Sequence, residues 1–233
     1  MPVFNEADGI REFVEEIALI FNPYNFQIYV INDQSNDDTE KVLFALQREF
    51  PLFQKNNDEN MGHGPSTMRS LQAALNSEAD YILAVDGDGQ FAALEMFDLV
   101  EKTIEQGSDV GLGIRVRHNE PTYRVLTSWT TRLLVASKSK QMTADANTPL
   151  RVYRREVLVE LLSSLKEDNP VPNLYITTLI NKWNLKVTKV QVQFRSRRGI
   201  TLESTSWGKS RFNLPSKRFI RFCLASFFYW LKN

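Results

Sequence analysis

The stretch "YILAVDGDGQF", residues 81–91, passes through five residues suited to a buried strand and then sets two carboxylates, Asp86 and Asp88, one residue apart. An apolar run closed by a Gly-containing polar turn predicts a strand whose carboxyl end carries the acids. Beyond it, Met96, Leu99 and Ile104 fall at helical spacing. The same strand-then-helix unit recurs on both sides. Residues 10–21 place Ile10, Phe13, Val14, Ile17 and Ile20 on one helical face, with Asn5 or Asp8 available as a cap. "FQIYVIND" (26–33) is a β-rich run, followed by a helix carrying Val42, Leu43, Leu46 and Phe50. "LFQKNN" (52–57) precedes a helix around Met68, Leu71, Ala74 and Leu75, and "DVGLGIRV" (109–116) precedes one over 122–137.

Alternating strands and helices predict an α/β fold: a Rossmann-like, mostly parallel sheet with helices on both faces and right-handed crossovers. Ligands of such sheets bind beyond the carboxyl ends of the strands. Asp33 ends one predicted strand and Asp86 another, so two acidic clusters are expected on the same edge. In the last third, "REVLVELLSSLKED" (155–168) and "LYITTLINKWNL" (174–185) predict helices, and Val190, Val192 and Phe194 alternate as a half-buried strand. With no repeat, low-complexity tract or linker in view, residues 1–212 are expected to form a single domain, and residues 213–233 a C-terminal amphipathic helix.

Lys and Arg number 28 against 28 Asp and Glu, so net charge gives no reason to expect a nucleic-acid partner. Locally the balance shifts: residues 195–221 hold eight basic residues against one acid, Glu203. A solvated face and an anion-binding surface both fit that run. Cys223 is the one cysteine, which excludes an intrachain disulfide or a Cys-based zinc cluster and fits a cytoplasmic setting. The N-terminus lacks the build of a signal peptide, and no apolar run approaches the ~20 residues that span a bilayer. "FIRFCLASFFYWLKN" (219–233), preceded by Lys217 and Arg218, fits a helix peripheral at the cytoplasmic membrane face or one packed on the domain.

Two carboxylates one residue apart at a strand end can coordinate a hard divalent ion, with substrate phosphates completing the shell. A surface turn is the bland alternative. A calcium-binding helix–loop–helix fails, because its loop needs Gly at the sixth position and Glu at the twelfth, where Phe91 and Phe97 stand. An aspartyl-phosphate enzyme would place its nucleophile on the first strand, where Asp86 does not lie. His63 and His118 are too few and isolated for a histidine metal site and are read as loop residues. Trp207 fits either an acceptor contact or a partly buried aromatic.

Taken in order, "PVFNE" (2–6), "VINDQSNDDT" (30–39), "NMGHGPSTMRSLQAA" (60–74), "DYILAVDGDGQF" (80–91) and "DANTPLRVYRREVL" (145–158) resemble the successive motifs of family 2 glycosyltransferases. The branch most resembled moves a sugar from a nucleotide onto a polyprenyl phosphate, as dolichol-phosphate mannose synthases do. The resemblance covers residues 2 to about 212. It implies a GT-A fold, a UDP- or GDP-linked sugar donor, a divalent metal (Mg²⁺ or Mn²⁺), inversion at the anomeric carbon and a lipid-phosphate acceptor. A saccharide or protein acceptor, or a degenerate homologue that only binds, are the alternatives. It further implies that Pro2, Asn5 and Glu6 line the nucleotide pocket, that Asp33 reads the base, and that Asp86 and Asp88 hold ribose, metal and diphosphate. Asp145 matches the aspartate near the acceptor, as general base or positioning group. Gln90, Arg115, Arg151, Arg198, Lys209 and Ser210 match positions on the acceptor and phosphate side.

Departures from the family pattern are also visible. Asn32 replaces one acid of the usual D-D-G-S, and Pro149 replaces a common glycine. The family places an apolar strand directly before P-x-x-N-E, whereas here Met1 precedes the motif, so a sheet without its first strand is expected. Another segment filling the gap, a shortened chain and a less stable protein are the three readings this leaves.

Overall fold

The computed structural model describes residues 1–116 and 122–198, together with positions 223, 224, 227, 228 and 230. In chain order the elements are β1 (Pro2–Val3), α1 (Ile10–Phe21), β2 (Ile28–Asn32), α2 (Thr39–Leu46), β3 (Leu52–Asn56), α3 (His63–Ala74), β4 (Tyr81–Ala84), α4 (Ala93–Glu105), β5 (Val110–Val116), α5 (Thr122–Ser139), β6 (Arg151–Arg154), α6 (Arg155–Ser163), α7 (Pro172–Lys182) and β7 (Val187–Gln193). Strands β1-β2-β3 form one sheet, parallel throughout, and β4-β6-β5-β7 form a second. In the second sheet β5 and β7 are parallel, while β6 runs antiparallel to both β4 and β5. Strands β4 and β5 therefore point the same way, and their carboxyl ends open on one edge. The two sheets meet where the Gly87 N–H donates to the Pro2 carbonyl at 3.1 Å.

Each sheet face carries its own apolar layer. On one, Ile10, Phe13, Val14 and Ile17 of α1 pack with Leu43 and Leu46 of α2 and with Met96 and Leu99 of α4. On the other, Met68 and Leu71 of α3 meet Leu158 and Leu161 of α6 and Ile176 and Ile180 of α7. Helices on both faces are what alternating β and α segments require.

Pro2 and Val3, inside the P-x-x-N-E motif rather than ahead of it, pair with Ile31 and Asn32 as a strand two residues long. Two expectations are corrected here. Neither Asn5 nor Asp8 caps α1; Gly9 is its N-cap, and the Asn5 Oδ1 instead accepts the Asn36 N–H at 2.8 Å. His63 is no loop residue but the first residue of α3.

At the C-terminus, Trp230 is buried against Tyr175 of α7, ring centroids 4.5 Å apart, and its carbonyl accepts a bond from Lys138 Nζ at 2.8 Å. Leu224, Phe227 and Phe228 are exposed. Most of the expected 213–233 helix, the boundary at 212, and His118, Trp207, Lys209 and Ser210 lie outside the described residues. Among the described residues no helix is long and apolar enough to cross a membrane.

Candidate active site

The acidic turn after β4 is built by close packing. A Cβ on Gly87 would collide with Val3, so glycine is what lets the turn lie against β1, and Gly89 holds a φ of +67° that favours glycine. Asp88 is buried, and its Oδ1 accepts the Gln90 N–H at 3.2 Å. Asp86 is more open, its Oδ1 3.7 Å from His63 Nε2 at the start of α3.

The segment after β7 folds over this turn. The Arg195 N–H donates to the Gln90 carbonyl at 2.9 Å, the Gln90 side chain returns a bond to the Arg195 carbonyl at 3.0 Å, and the Arg198 N–H donates to the Asp88 carbonyl at 3.1 Å. These bonds bring the Arg197 guanidinium between two acids, 3.3 Å from Glu6 Oε1 and 3.4 Å from Asp88 Oδ2. One guanidinium does not offset the crowding. Burial above all pushes the Glu6 carboxyl up to about 8; Arg197 opposes the rise, and Asp88, Asp37 and Asp86 add to it. Burial, then the charge of Asp86, likewise pushes Asp88 up to about 6.

Asn5 and Glu6 are held by the loop after β2. The Asn5 N–H donates to Ser35 Oγ at 2.9 Å and the Glu6 N–H to Thr39 Oγ1 at 2.8 Å. At the end of β2, the buried Asp33 accepts from Asn57 Nδ2 (2.8 Å) and from the main-chain N–H groups of Met61 and Gly62 (both 2.9 Å). Asp33 thus ties β2 to the loop that starts α3. Pro2, Asn5, Glu6, Asp33, Asp86 and Asp88 come together on one edge, as the motif order implied.

The residues expected on the acceptor side divide. Arg115, at the end of β5, grips the buried Asp145 with two bonds, Nε to Oδ2 at 2.7 Å and Nη2 to Oδ1 at 3.0 Å. Arg151 does not reach this surface. It is fully buried, and its guanidinium donates to the carbonyls of Thr148, Ala146 and Asn173 and to Thr177 Oγ1. Its role in this fold is to hold the loop around Asp145 from behind. Arg198 pairs with Glu16 and Glu12 of α1.

Arg197 and Asp37 reach the site without having been singled out from the sequence, and His63 reaches it although it was read as a loop residue. Arg197 is hidden in a basic run that fits a solvated face equally well. Asp37 carried a usable signal: its Oδ1 accepts from the Thr39 N–H at 3.0 Å and its Oδ2 from the Ala7 N–H at 3.2 Å, the bonding expected of an Asp just ahead of a helix.

Hard divalent cations take oxygen ligands and leave positions for substrate phosphates. The Asp86 and Asp88 carboxylates, which repel one another, fit that donor set. Among the described residues no group of three or more His, Cys, Asp or Glu side chains could hold a metal. Further ligands would have to come from phosphate oxygens and water.

The family model for "Glycosyl transferase family 2" matches residues 1–162. The chain belongs to glycosyltransferase family 2. An undecaprenyl-phosphate 4-deoxy-4-formamido-L-arabinose transferase of Pectobacterium atrosepticum is 25% identical to this glycosyltransferase over 178 residues, covering 75% of the chain and 53% of that protein. A dolichol-phosphate mannosyltransferase of Pyrococcus furiosus is 27% identical over 133 residues, covering 55% of the chain and 37% of that protein. The glycosyltransferase thus spans about half of the first relative's length and less of the second's. The crystal structure of glucosyl-3-phosphoglycerate synthase from Mycobacterium tuberculosis with Mn²⁺ and UDP-glucose has a TM-score of 0.61 at 20% identity, covering 98% of this chain and 76% of that one. That likeness establishes the GT-A fold.

Proposed function

We propose that the chain transfers a sugar from a UDP- or GDP-linked donor to a polyprenyl phosphate, with inversion and with a divalent metal, Mg²⁺ or Mn²⁺, held by Asp86 and Asp88. The observation that carries this reading is the gathering of Glu6, Asp33, Asp86 and Asp88 at the carboxyl edge, on the side of the sheet where open α/β folds take nucleotides. Asp33 has three of about four lone-pair positions filled, which leaves room for one nucleobase N–H. Asn5, Glu6 and Pro2 frame the same pocket, and Gln90 braces the turn that carries the acids. A bound divalent cation would neutralise the charge that develops on the departing diphosphate.

The Arg115–Asp145 pair supports a phosphate acceptor over a hydroxyl. A carboxylate whose two oxygens both accept from one guanidinium is poorly placed to take a proton from a hydroxyl, whereas a phosphate monoester already presents an anionic oxygen at neutral pH. In the transfer, that oxygen forms the new bond to the anomeric carbon as the bond to the diphosphate breaks on the opposite face. Asp145 then serves as the group that positions Arg115 beside the acceptor. By the family resemblance, Arg198, Lys209 and Ser210 would take part in phosphate binding as well; Lys209 and Ser210 lie outside the described residues. The named substrates of the two relatives are both polyprenyl phosphates, which agrees. Exposed Val125, Leu126, Trp129 and Leu133 of α5, with Leu224, Phe227 and Phe228, supply apolar side chains for peripheral contact with a membrane holding such a lipid.

The test is turnover of a panel of UDP- and GDP-sugars with Mn²⁺, with and without a polyprenyl phosphate, read as nucleoside diphosphate release. Release that needs metal and rises with the lipid is expected. Absence of both turnover and nucleotide binding contradicts glycosyl transfer, and turnover indifferent to the lipid contradicts the lipid acceptor.

A further inference from the structure

Under the proposed function Asp33 meets the nucleobase, and the residues behind it decide how much of its carboxylate a base can use. Oδ1 accepts two bonds, from Asn57 Nδ2 at 2.8 Å and from the Met61 N–H at 2.9 Å. Oδ2 accepts one, from the Gly62 N–H at 2.9 Å. A carboxylate oxygen offers about two lone-pair positions, so Oδ1 is full and Oδ2 keeps one.

The Met61 and Gly62 bonds come from the main chain, and any sequence that folds this loop would make them. The third bond depends on the Asn57 side chain. Asn57 is buried just after β3, and its amide is fixed from both ends. Its Oδ1 accepts from Arg69 Nη1 at 2.8 Å, while its Nδ2 donates to Asp33 and also to Ser66 Oγ at 2.9 Å. Turning the amide over would set its oxygen against the Asp33 carboxylate and its NH₂ against the guanidinium, so the network allows one orientation. Ser66 and Arg69 are three residues apart on α3 and share a face of it, which holds the Asn57 donor toward Asp33.

Uracil and guanine show a carboxylate different edges. Uracil has a single ring N–H between two carbonyls. Guanine has two adjacent donors, a ring N–H and an exocyclic amine, which a carboxylate meets with one oxygen each. With Oδ1 filled, one of guanine's pair is left without an acceptor at Asp33, and a desolvated donor without a partner is costly. Uracil leaves no donor over.

We propose that Asn57, locked by Arg69, sets the base specificity of the donor edge: it fills Asp33 Oδ1, so that a uracil nucleotide is taken and a guanine nucleotide refused. The assignment rests on nucleotide binding at that edge, and it narrows the donor to a UDP-linked sugar. Asn57 and Arg69 act through Asp33 and are positioning residues.

The test is calorimetric titration of the full chain, in the presence of Mn²⁺, with UDP, GDP, inosine diphosphate and UDP methylated at ring N3. UDP should bind about thirtyfold more tightly than GDP, and N3 methylation, which removes the single N–H, should weaken UDP about tenfold or more. Inosine diphosphate lacks the exocyclic amine and should bind at least as well as GDP. Arg69→Met, which releases the Asn57 amide, should narrow the ratio of UDP to GDP affinity about fivefold or more while the response to Mn²⁺ is kept. Equal weakening of both nucleotides in that variant would give Arg69 and Asn57 a purely structural role and overturn the assignment. GDP binding as tight as UDP, GDP tighter than inosine diphosphate, or indifference to N3 methylation would overturn it while nucleotide binding at the donor edge stands. Binding of neither UDP nor GDP would overturn both.

Discussion

The edge proposed to bind the donor and the surface proposed to bind the acceptor handle charge in opposite ways. At the donor edge, Glu6, Asp86 and Asp88 crowd together with Arg197 as the cation between two of them, and burial holds Glu6 near 8 and Asp88 near 6. On the acceptor side, Arg115 and Asp145 satisfy each other with two bonds, and Arg151 spends its guanidinium on three carbonyls and a hydroxyl. One region is short of positive charge and gains from an added cation; the other is assembled in advance. Under the proposed function this is the division of labour expected when the donor brings a diphosphate that needs a metal and the acceptor brings its own anion.

That contrast can be broken at several points. Removing a carboxylate from the donor edge has the largest expected effect: Asp88→Ala should lower metal-dependent turnover about a thousandfold while thermal unfolding stays within a few degrees of wild type. Unchanged turnover would refute the metal role given to Asp88. On the other side the loss should fall on the fold. Arg151→Leu removes the donor to the Thr148 carbonyl and one of the donors to the Ala146 and Asn173 carbonyls, which Thr177 Oγ1 also reaches, and should cost about 2 kcal/mol of stability in urea titration. If the variant were as stable as wild type but inactive, Arg151 would have to act on substrate directly. Arg115→Lys keeps the charge but cannot make two parallel bonds to Asp145, so kcat/KM for a phosphate acceptor should fall about thirtyfold, about 2 kcal/mol. Equal kinetics would detach the pair from acceptor binding.

The smallest effect is a pH dependence in the metal-free protein. Glu6 has a folded value of about 8 against an ordinary 4.5, so the folded state holds this proton more tightly than the unfolded chain does. Its contribution to stability is fully present below pH 4.5 and is lost as pH rises through 8. The melting temperature should therefore decline across that window, and Glu6→Gln, which mimics the protonated form, should flatten the decline. A variant profile parallel to wild type would place the crowding elsewhere.

Much of this architecture was legible because burial leaves a period in the sequence. The α1 face of Ile10, Phe13, Val14 and Ile17, and the β7 alternation of Val190 and Val192, both pack inward as their spacing requires. Strand β6 was not legible. Its four residues carry Arg at each end, and its central place between β4 and β5 depends on pairing partners far along the chain. The donor edge could be anticipated because Asp33 and Asp86 each end an apolar run, and parallel strands bring such ends together. The acceptor side could not be anticipated to the same depth. Motif order brought Arg115, Asp145 and Arg151 into the discussion, but whether an arginine faces solvent or fills the space behind a loop is decided by tertiary packing. Arg197 shows the reverse: a residue in a basic run that the fold brings to within 3.4 Å of Asp88.

The central claim is that the donor edge binds a nucleoside diphosphate through a metal on Asp86 and Asp88. Calorimetric titration of UDP and GDP into the protein, with and without Mn²⁺ and repeated on Asp88→Asn, tests it most directly. The account predicts binding of one nucleotide that strengthens at least tenfold with Mn²⁺ in the wild type and gains nothing from Mn²⁺ in the variant. Nucleotide binding of equal strength with and without metal, or an unaltered metal response in Asp88→Asn, would contradict it.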